Sequence, residues 1–459
     1  MKSLFGRRTL ATGVAAVASL AAFAMPSVAS ATESPNHCKG STPIEGRGAT
    51  FPEAAQGVWK KAFNEAAFEG KPGGCKSIEV KYNTTGAIGS GAGYNEWFKE
   101  QHYGEVAFVG TDNTVNQGEK EKIEAEVDAE KTSQLMTIPI VQGAVAIVVH
   151  LPEHCKANSK AAAGRIGLNQ AMIEKIYKSG ATWKEVAEEE GPQNEITNEG
   201  GTCDLTQAVT PVVRFDGSGT THIFKEQLFK NDGGKLADET GGEHTWAELA
   251  EGTSSVKCGT AKDGKLNECW PSAAKVVHAK ATGNPGLLEE VSNTAGSIGY
   301  ADLSQARSKG FAPASTSKFW AVVESSAKAT GKGVKRKYTD PSTNGDVATS
   351  ENSNCKKTEF VNGEETFPPP SVLSPWNEVG AKRESKTYAF CGMTYVLANT
   401  NYAAYGSHGG TSNEAQSVKD YIGFVINKKG GATAIAGNDY APLPKAVLAK
   451  AEEGVEKIG

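Results

Sequence analysis

VVRFDGSGTTHIFKEQL, Val212 to Leu228, holds an arginine, an aspartate, two glycines and three hydroxyl side chains between Arg214 and Thr221. The stretch before it, Gln207 to Phe215, reads as a strand, and the residues after the glycines read as a helix. A helix start leaves backbone N–H groups unpaired and carries a partial positive charge, so it attracts anions. Glycine lets the backbone approach a ligand closely, and Ser218 is a good N-cap. The planar guanidinium of Arg214 suits two oxygens of a tetrahedral oxyanion, and Asp216 is placed to hold it. A strand, a glycine turn and a capped helix in that order make an α/β unit.

Two other stretches share this plan. GRGATFPEAAQGVWKKAF, Gly46 to Phe63, and NTTGAIGSGAGYNEWFKE, Asn83 to Glu100, each set glycine and a hydroxyl residue directly before an expected helix. Thr50 and Ser90 are good N-cap residues there, and Pro52 suits a first helical turn. Nucleotide and hydrolase motifs do not fit. GAIGSGAG, Gly86 to Gly93, lacks the following Lys-Ser/Thr of a P-loop, and Glu96 stands where G-x-G-x-x-G needs its last glycine. Neither Ser90 nor Ser218 sits in G-x-S-x-G, because Ile88 and Asp216 occupy the first glycine position. His222 follows Ser218 by four residues, with no third group in the sequence to orient it as a base, and reads as a surface or core histidine.

Outward from these motifs, short apolar strands alternate with amphipathic helices, which is α/β patterning. Ser77–Asn83, Glu105–Gly110, Thr137–His150 and Gly296–Tyr300 read as strands. Glu53–Ala67, Tyr94–Gln101, Asn169–Lys178 and Pro285–Ser292 read as helices. Two polar, glycine-rich tracts, Asn231–Asn267 and Lys332–Pro370, contain cysteine and read as stapled surface insertions.

The first 31 residues combine Lys2, Arg7 and Arg8, an apolar run from about Leu10 to Met25, and Ala29-Ser30-Ala31. This is the pattern of a cleaved secretory signal, without a lipid-anchor cysteine. Removing its three positive charges takes the net charge from −5 to −8. That acidity argues against nucleic acid and anionic membranes as partners. The remaining chain, about 430 residues, suffices for two domains. All eight cysteines lie after the signal, which implies up to four disulfides in an exported protein. Pairing sequence neighbours is the simplest arrangement: Cys38 with Cys75, Cys155 with Cys203, Cys258 with Cys269, and Cys355 with Cys391. His150, His154 and Cys155 are close in sequence, but Pro152 denies them a shared helical face, so no metal site is expected.

Taken in order, GATFP, GSGAG, a strand ending at Asp112, RFDGSGT, GNPG and GSIGYAD resemble the substrate-binding proteins of high-affinity phosphate ABC importers. The likeness runs from about Gly46 to Asp302 and returns in Tyr440–Ile458. It implies a two-lobed, type II periplasmic binding protein-like α/β fold with the ligand in a cleft and two crossovers. Lobe 1 would hold 41–137 plus 302–459, and lobe 2 would hold 138–301. Hinges are expected near Thr137–Val141 and Tyr300–Asp302.

The resemblance also implies the site. Thr50 and Phe51 would give a hydroxyl and a backbone N–H to phosphate, and Ser90 another hydroxyl. Asp112 would accept a proton from the ligand. Arg214 would bind it, oriented by Asp216, and Ser218, Gly219 and Thr220 would complete the shell. A buried carboxylate repels an anion unless a proton lies between them. Hydrogen phosphate carries that proton and sulfate does not, so Asp112 sets selectivity. The implied protein binds inorganic phosphate, needs no cofactor or metal, is not an enzyme, and meets permease subunits as an exported monomer. A secreted scavenger or sensor without an importer is the alternative. A secreted phosphoesterase would need a nucleophile with its base, or paired metals, and the sequence offers neither.

Overall fold

The computed structural model describes residues 38–65, 74–84, 88–93, 106–114, 135–158, 164–189, 194–231, 234–251, 269–325, 338–342, 355–361, 366–382, 387–405 and 411–459. The signal segment, the expected helix Tyr94–Gln101 and Cys258 lie outside them.

Thr137–His150 is a mostly apolar stretch rich in β-branched residues, which suits a strand buried on both faces. It forms most of the longest strand, β4, and all of β4 except His150 is buried. In chain order the main sheet uses β1 (Ile44–Gly48), β2 (Val80–Tyr82), β3 (Phe108–Thr111), β4 (Leu135–His150), β5 (Thr210–Val213), β6 (Val277–His278), β7 (Ser297–Asp302), β8 (Lys318–Trp320), β9 (Cys391–Asn399) and β10 (Tyr440–Ala441). Across the sheet the sequence is β6, β5, β7, β4, β9, β3, β1, β2, with β8 and β10 also on β4. Parallel pairs (β1 with β2 and β3, β5 with β6 and β7) coexist with antiparallel pairs of β9 and β7 on β4.

β4 ties the two ends of this sheet together. Its residues from Leu135 to Ala144 face β9, and those from Val145 to His150 face β7. At about 3.3 Å per residue, sixteen residues span roughly 50 Å. The change of partner falls between Ala144 and Val145, opposite Cys391 and Asp302. A strand buried throughout carries no sequence mark of where its neighbour changes. β8 pairs with β4 at Val148–His150, on the β7 end of the strand.

Among the helices of the described residues, those used below are α1 (Glu53–Asn64), α2 (Gln170–Lys178), α3 (Gly219–Asn231), α4 (Gly283–Asn293), α5 (Leu303–Ser308), α6 (Ser412–Ile426) and α7 (Lys445–Glu456). Asn169, Ser218 and Thr411 cap α2, α3 and α6, each accepting a backbone N–H from three residues on. At the β1–β3 end, Phe63 of α1 packs on Tyr421 and Phe424 of α6 with centroids 5.2 and 5.4 Å apart. At the other end, Phe224 of α3 stacks on Tyr300 of β7 at 4.5 Å, beside Tyr177 and Trp270. Each such ring hides about 150–250 Å² and contributes at most roughly 4–6 kcal/mol.

Disulfides join Cys38 to Cys75, Cys155 to Cys203 and Cys355 to Cys391, as neighbour pairing expects. Cys269 is also disulfide-bonded. Such cross-links persist in oxidising compartments. Among the described residues no helix is long and apolar enough to cross a membrane. Cys155 is taken by its disulfide, and His150 Nδ1 meets the Val291 carbonyl at 3.1 Å.

The two polar tracts do more than decorate the surface. Trp246 of the first is fully buried and donates from Nε1 to Glu174 at 3.1 Å. Asp340 of the second is buried against Arg165 and accepts from Trp320 Nε1 at 3.3 Å. Arg165 and Arg307 both sit over the Trp320 ring, at 5.6 and 4.7 Å, and Arg307 pairs with Asp439 at 2.7 Å. These tracts read as surface from their polar composition. Pairing an arginine with an aspartate offsets part of the penalty for burying either alone.

Candidate functional site

Each motif singled out in the sequence follows a strand or opens a helix, and strand order decides where the motif ends up. β1, running Ile44–Gly48, delivers Ala49, Thr50 and Phe51 to the start of α1. β3, its parallel neighbour, delivers Asp112. β5 delivers Arg214 to Ser218 at the start of α3 from the other end of the sheet. Residues 88–93, whose last four are helical, lie between these groups.

The contacts across the gap are direct. Ser90 Oγ accepts N–H bonds from Asp112 at 3.1 Å and from Gly219 at 3.2 Å. Thr50 Oγ1 accepts the Asn284 N–H at 3.1 Å. Gly91 N–H bonds the Gly217 carbonyl at 3.0 Å. Thr50, Phe51, Ser90, Asp112, Arg214, Ser218, Gly219 and Thr220 are all buried. The three helix starts therefore meet in one buried cluster. A Cβ on Gly219 would stand 2.5 Å from Asp112 Cβ and 2.6 Å from Ser90 Oγ, so only glycine fits there. Gly283, at φ +77°, opens α4 beside Thr50, again a glycine conformation.

Only Ser218 acts as the cap expected of it, accepting from Thr221 N–H at 3.1 Å. Thr50 and Ser90 turn their hydroxyl oxygens to the opposite wall, and Pro52 takes the cap position of α1 without a side-chain bond. A hydroxyl already held by a partner strand or helix cannot also serve its own helix.

Arg214 is 1 % exposed and fully engaged on one side. Its Nε donates to Asp216 Oδ1 at 2.5 Å, Nη2 donates to Asp216 Oδ2, and Nη1 donates to Asn284 Oδ1 at 3.1 Å. Gly283 N–H adds a bond to Asp216 Oδ1 at 3.4 Å. Burial pushes the guanidinium pKa down, but Asp216 outweighs it and the value is raised. The two-point bond to Asp216 fixes the plane of the guanidinium.

Asp112 lies opposite. Burial raises its pKa from 3.8 to about 7. Thr394, Arg214, Thr220 and Ser90 oppose that rise by favouring the carboxylate. Thr394 Oγ1 donates to Asp112 Oδ1 at 2.8 Å. The Thr220 hydroxyl acts from close by, since its Oγ1 completes no hydrogen bond of good geometry. Asn284 Nδ2 is likewise buried with no partner. An unpartnered buried amide beside a fixed guanidinium is costly in an apolar interior and suits a polar ligand.

Three site contributors were not identified from the sequence. Asn284 belongs to the quoted GNPG, whose glycines marked the loop but not the amide. Thr394 sits inside the apolar strand β9 and carries no local signal. Tyr440 Oη lies 2.7 Å from the Phe51 carbonyl and 2.9 Å from Asp302 Oδ1, tying the GATFP loop to the end of β7. His222 is buried with Nδ1 against the Ala250 carbonyl at 2.9 Å, a core histidine.

A family model described as the PBP superfamily domain matches residues 39–359. No curated protein matches. Among solved structures, the chain is similar to a high-affinity periplasmic phosphate-binding protein (PfluDING) bound with phosphate, at 16 % identity and TM-score 0.51, over 89 % of this chain and 92 % of that one. It is similar to a human phosphate binding apolipoprotein at 18 % identity and TM-score 0.52, over 88 % and 92 %. A DING protein matches at 16 % identity and TM-score 0.52, also over 88 % and 92 %. At these identities the likeness shows the fold, an α/β periplasmic binding protein-like one. With the family model spanning well over half of its length, the chain belongs to the PBP superfamily.

Proposed function

We propose that this chain is an extracytoplasmic receptor for inorganic phosphate that delivers the ion to an ABC importer. One observation carries the reading: Asp112 and Arg214, a carboxylate and a held guanidinium, are buried in one cluster with hydroxyls from three helix starts. A bare oxyanion would be repelled by Asp112; an oxyanion bearing a proton can donate it there. Thr50 and Ser90 now accept N–H bonds, and each hydroxyl keeps a proton to give. In the proposed complex Thr50, Ser90, Ser218 and Thr220 supply hydroxyls, Phe51 and Gly219 supply amides, and Arg214 supplies the charge. Asp216 and Asn284 hold Arg214 in place. The matched structures named for phosphate agree with this ligand.

The reading includes two lobes around β4, the first built on 41–137 and most of 302–459, the second on 138–301. Residues 318–324 go with the second lobe, because β8 pairs beside β7. The bonds between Thr50 and Asn284, and between Ser90 and Gly219, would then cross the cleft and mark a closed form. Release requires breaking them, with movement at Ala144–Val145 and Asp302.

Calorimetry on phosphate-stripped protein tests the ligand. Phosphate and arsenate should bind, and sulfate should bind about 10⁴-fold more weakly, as an ion without the proton. Comparable affinity for sulfate rejects the reading. Release of phosphate from aryl phosphates by purified protein would point to an esterase. Loss of labelled phosphate uptake on deleting the gene tests delivery, and unchanged uptake would leave a scavenger or sensor.

A further inference from the structure

We infer that Thr394 is a specificity-determining residue: through its hydroxyl it positions Asp112 as the acceptor that tells a protonated oxyanion from an unprotonated one. The inference rests on the phosphate reading above.

The placement follows from strand register. β9 runs antiparallel to β3, with Tyr395 opposite Thr111, Val396 opposite Gly110 and Leu397 opposite Val109. Continuing by one residue sets Thr394 opposite Asp112. Residues opposite each other on neighbouring strands share a face and interact directly. The Thr394 hydroxyl accordingly lies 2.8 Å from Asp112 Oδ1 and 3.3 Å from the Thr111 carbonyl. Thr394 is 0 % exposed and Asp112 4 %, so water does not compete for this bond.

The other edge of β9 explains why a threonine can stand there undisturbed. Thr394 pairs with Val141 of β4 and Tyr395 pairs with Pro139, so Ile140 is an extra residue in β4. Proline has no N–H to give to the ladder, and such gaps are tolerated at bulges. Bulges re-aim side chains near functional sites. Here the irregularity lies beside the one polar side chain of β9 that reaches Asp112.

Other groups face Asp112 as well. Arg214 and Asp216 lie across the cluster. His222 and Glu226 come from α3, Asp302 from the end of β7, and Tyr82, Tyr395 and Tyr440 from surrounding strands. Arg214 is committed to Asp216 and Asn284. Thr394 fixes Asp112 Oδ1 from the β9 side, while Thr220 and Ser90 act on the same carboxylate from the helix starts.

The test compares Thr394→Val, which keeps shape and removes the hydroxyl, with Thr394→Ser, which keeps the hydroxyl. Affinities for phosphate and sulfate are measured from pH 5.5 to 9. In the parent protein the phosphate-over-sulfate ratio should fall toward acid as Asp112 takes up a proton and ceases to repel sulfate. A lost bond to a charged group moves that midpoint up by about one pH unit in Thr394→Val, and Thr394→Ser should stay near the parent. The ligand's own titration is common to all variants and drops out of the comparison. If the valine chain does not fold, Thr394→Ala removes the same hydroxyl and reads the same midpoint. An equal loss of affinity for both ions with an unmoved midpoint would overturn the inference, leaving Thr394 a packing residue. Asp112→Asn separates the two levels: it should abolish the midpoint. If it keeps the parent profile, the phosphate reading fails; if only Thr394→Val does, the reading stands and the role of Thr394 falls.

Discussion

Asp112→Asn should change how the stability of the ligand-free protein depends on pH, in a direction the structure specifies. The folded-state pKa of Asp112 is raised by burial from 3.8 to about 7. The folded chain therefore holds this proton where the unfolded chain has lost it. The protonated side chain contributes stability that is complete below about pH 4 and is lost as pH rises through 7. Each pH unit between the two values is worth about 1.4 kcal/mol, so the interval comes to roughly 4 kcal/mol. Asparagine stays neutral throughout and removes this dependence. Urea denaturation of phosphate-stripped protein at pH 4.5, 6 and 8 measures it. The stability difference, variant minus parent, should grow by a few kcal/mol from the acid to the alkaline end. The difference matters rather than either curve alone, because burial also raises Asp302 and adds a slope of the same sign to both proteins. Parallel curves would refute the argument, since they would show that Asp112 titrates alike in the folded and unfolded chains.

Three further outcomes can be measured. Arg214→Met leaves Asp216 buried without its main partner, which should cost about 3–5 kcal/mol of stability and at least 30-fold in phosphate affinity by calorimetry. Arg214→Lys should recover part of the stability but little of the affinity, because an ammonium cannot reproduce the two-point bond to Asp216. Replacing Cys355 and Cys391 together by serine frees a loop with sequence separation 36, which the chain-entropy estimate sets at about 4 kcal/mol. Urea midpoints at constant m-value would read that loss, and an unchanged midpoint would show the second polar tract held by packing alone.

The legible part of this protein was local. Glycine, a hydroxyl residue and a helix pattern in succession announce a helix mouth, because backbone N–H groups and tight turns constrain the few residues around them. Arg214 and Asp216 are two positions apart, so their pairing could be proposed without a fold. The apolar length of Thr137–His150 announced the central strand for the same reason. Neighbouring cysteines also found each other, since short separations favour closure.

What tertiary structure alone decided is every contact that depends on strand register. Asp112 and Thr394 are 282 residues apart, and one step of slippage in β9 would turn the hydroxyl to the other face. Asn284 meets Thr50 across 234 residues, and Tyr440 meets Phe51 across 389. The changeover along β4 at Ala144–Val145 is equally invisible, because a strand buried on both faces looks alike to either neighbour. Local chemistry prepared three separate anion-friendly loops. Only the ordering of strands in one sheet brought them into a common buried cluster, where burial raises the Asp112 pKa and Asp216 holds Arg214.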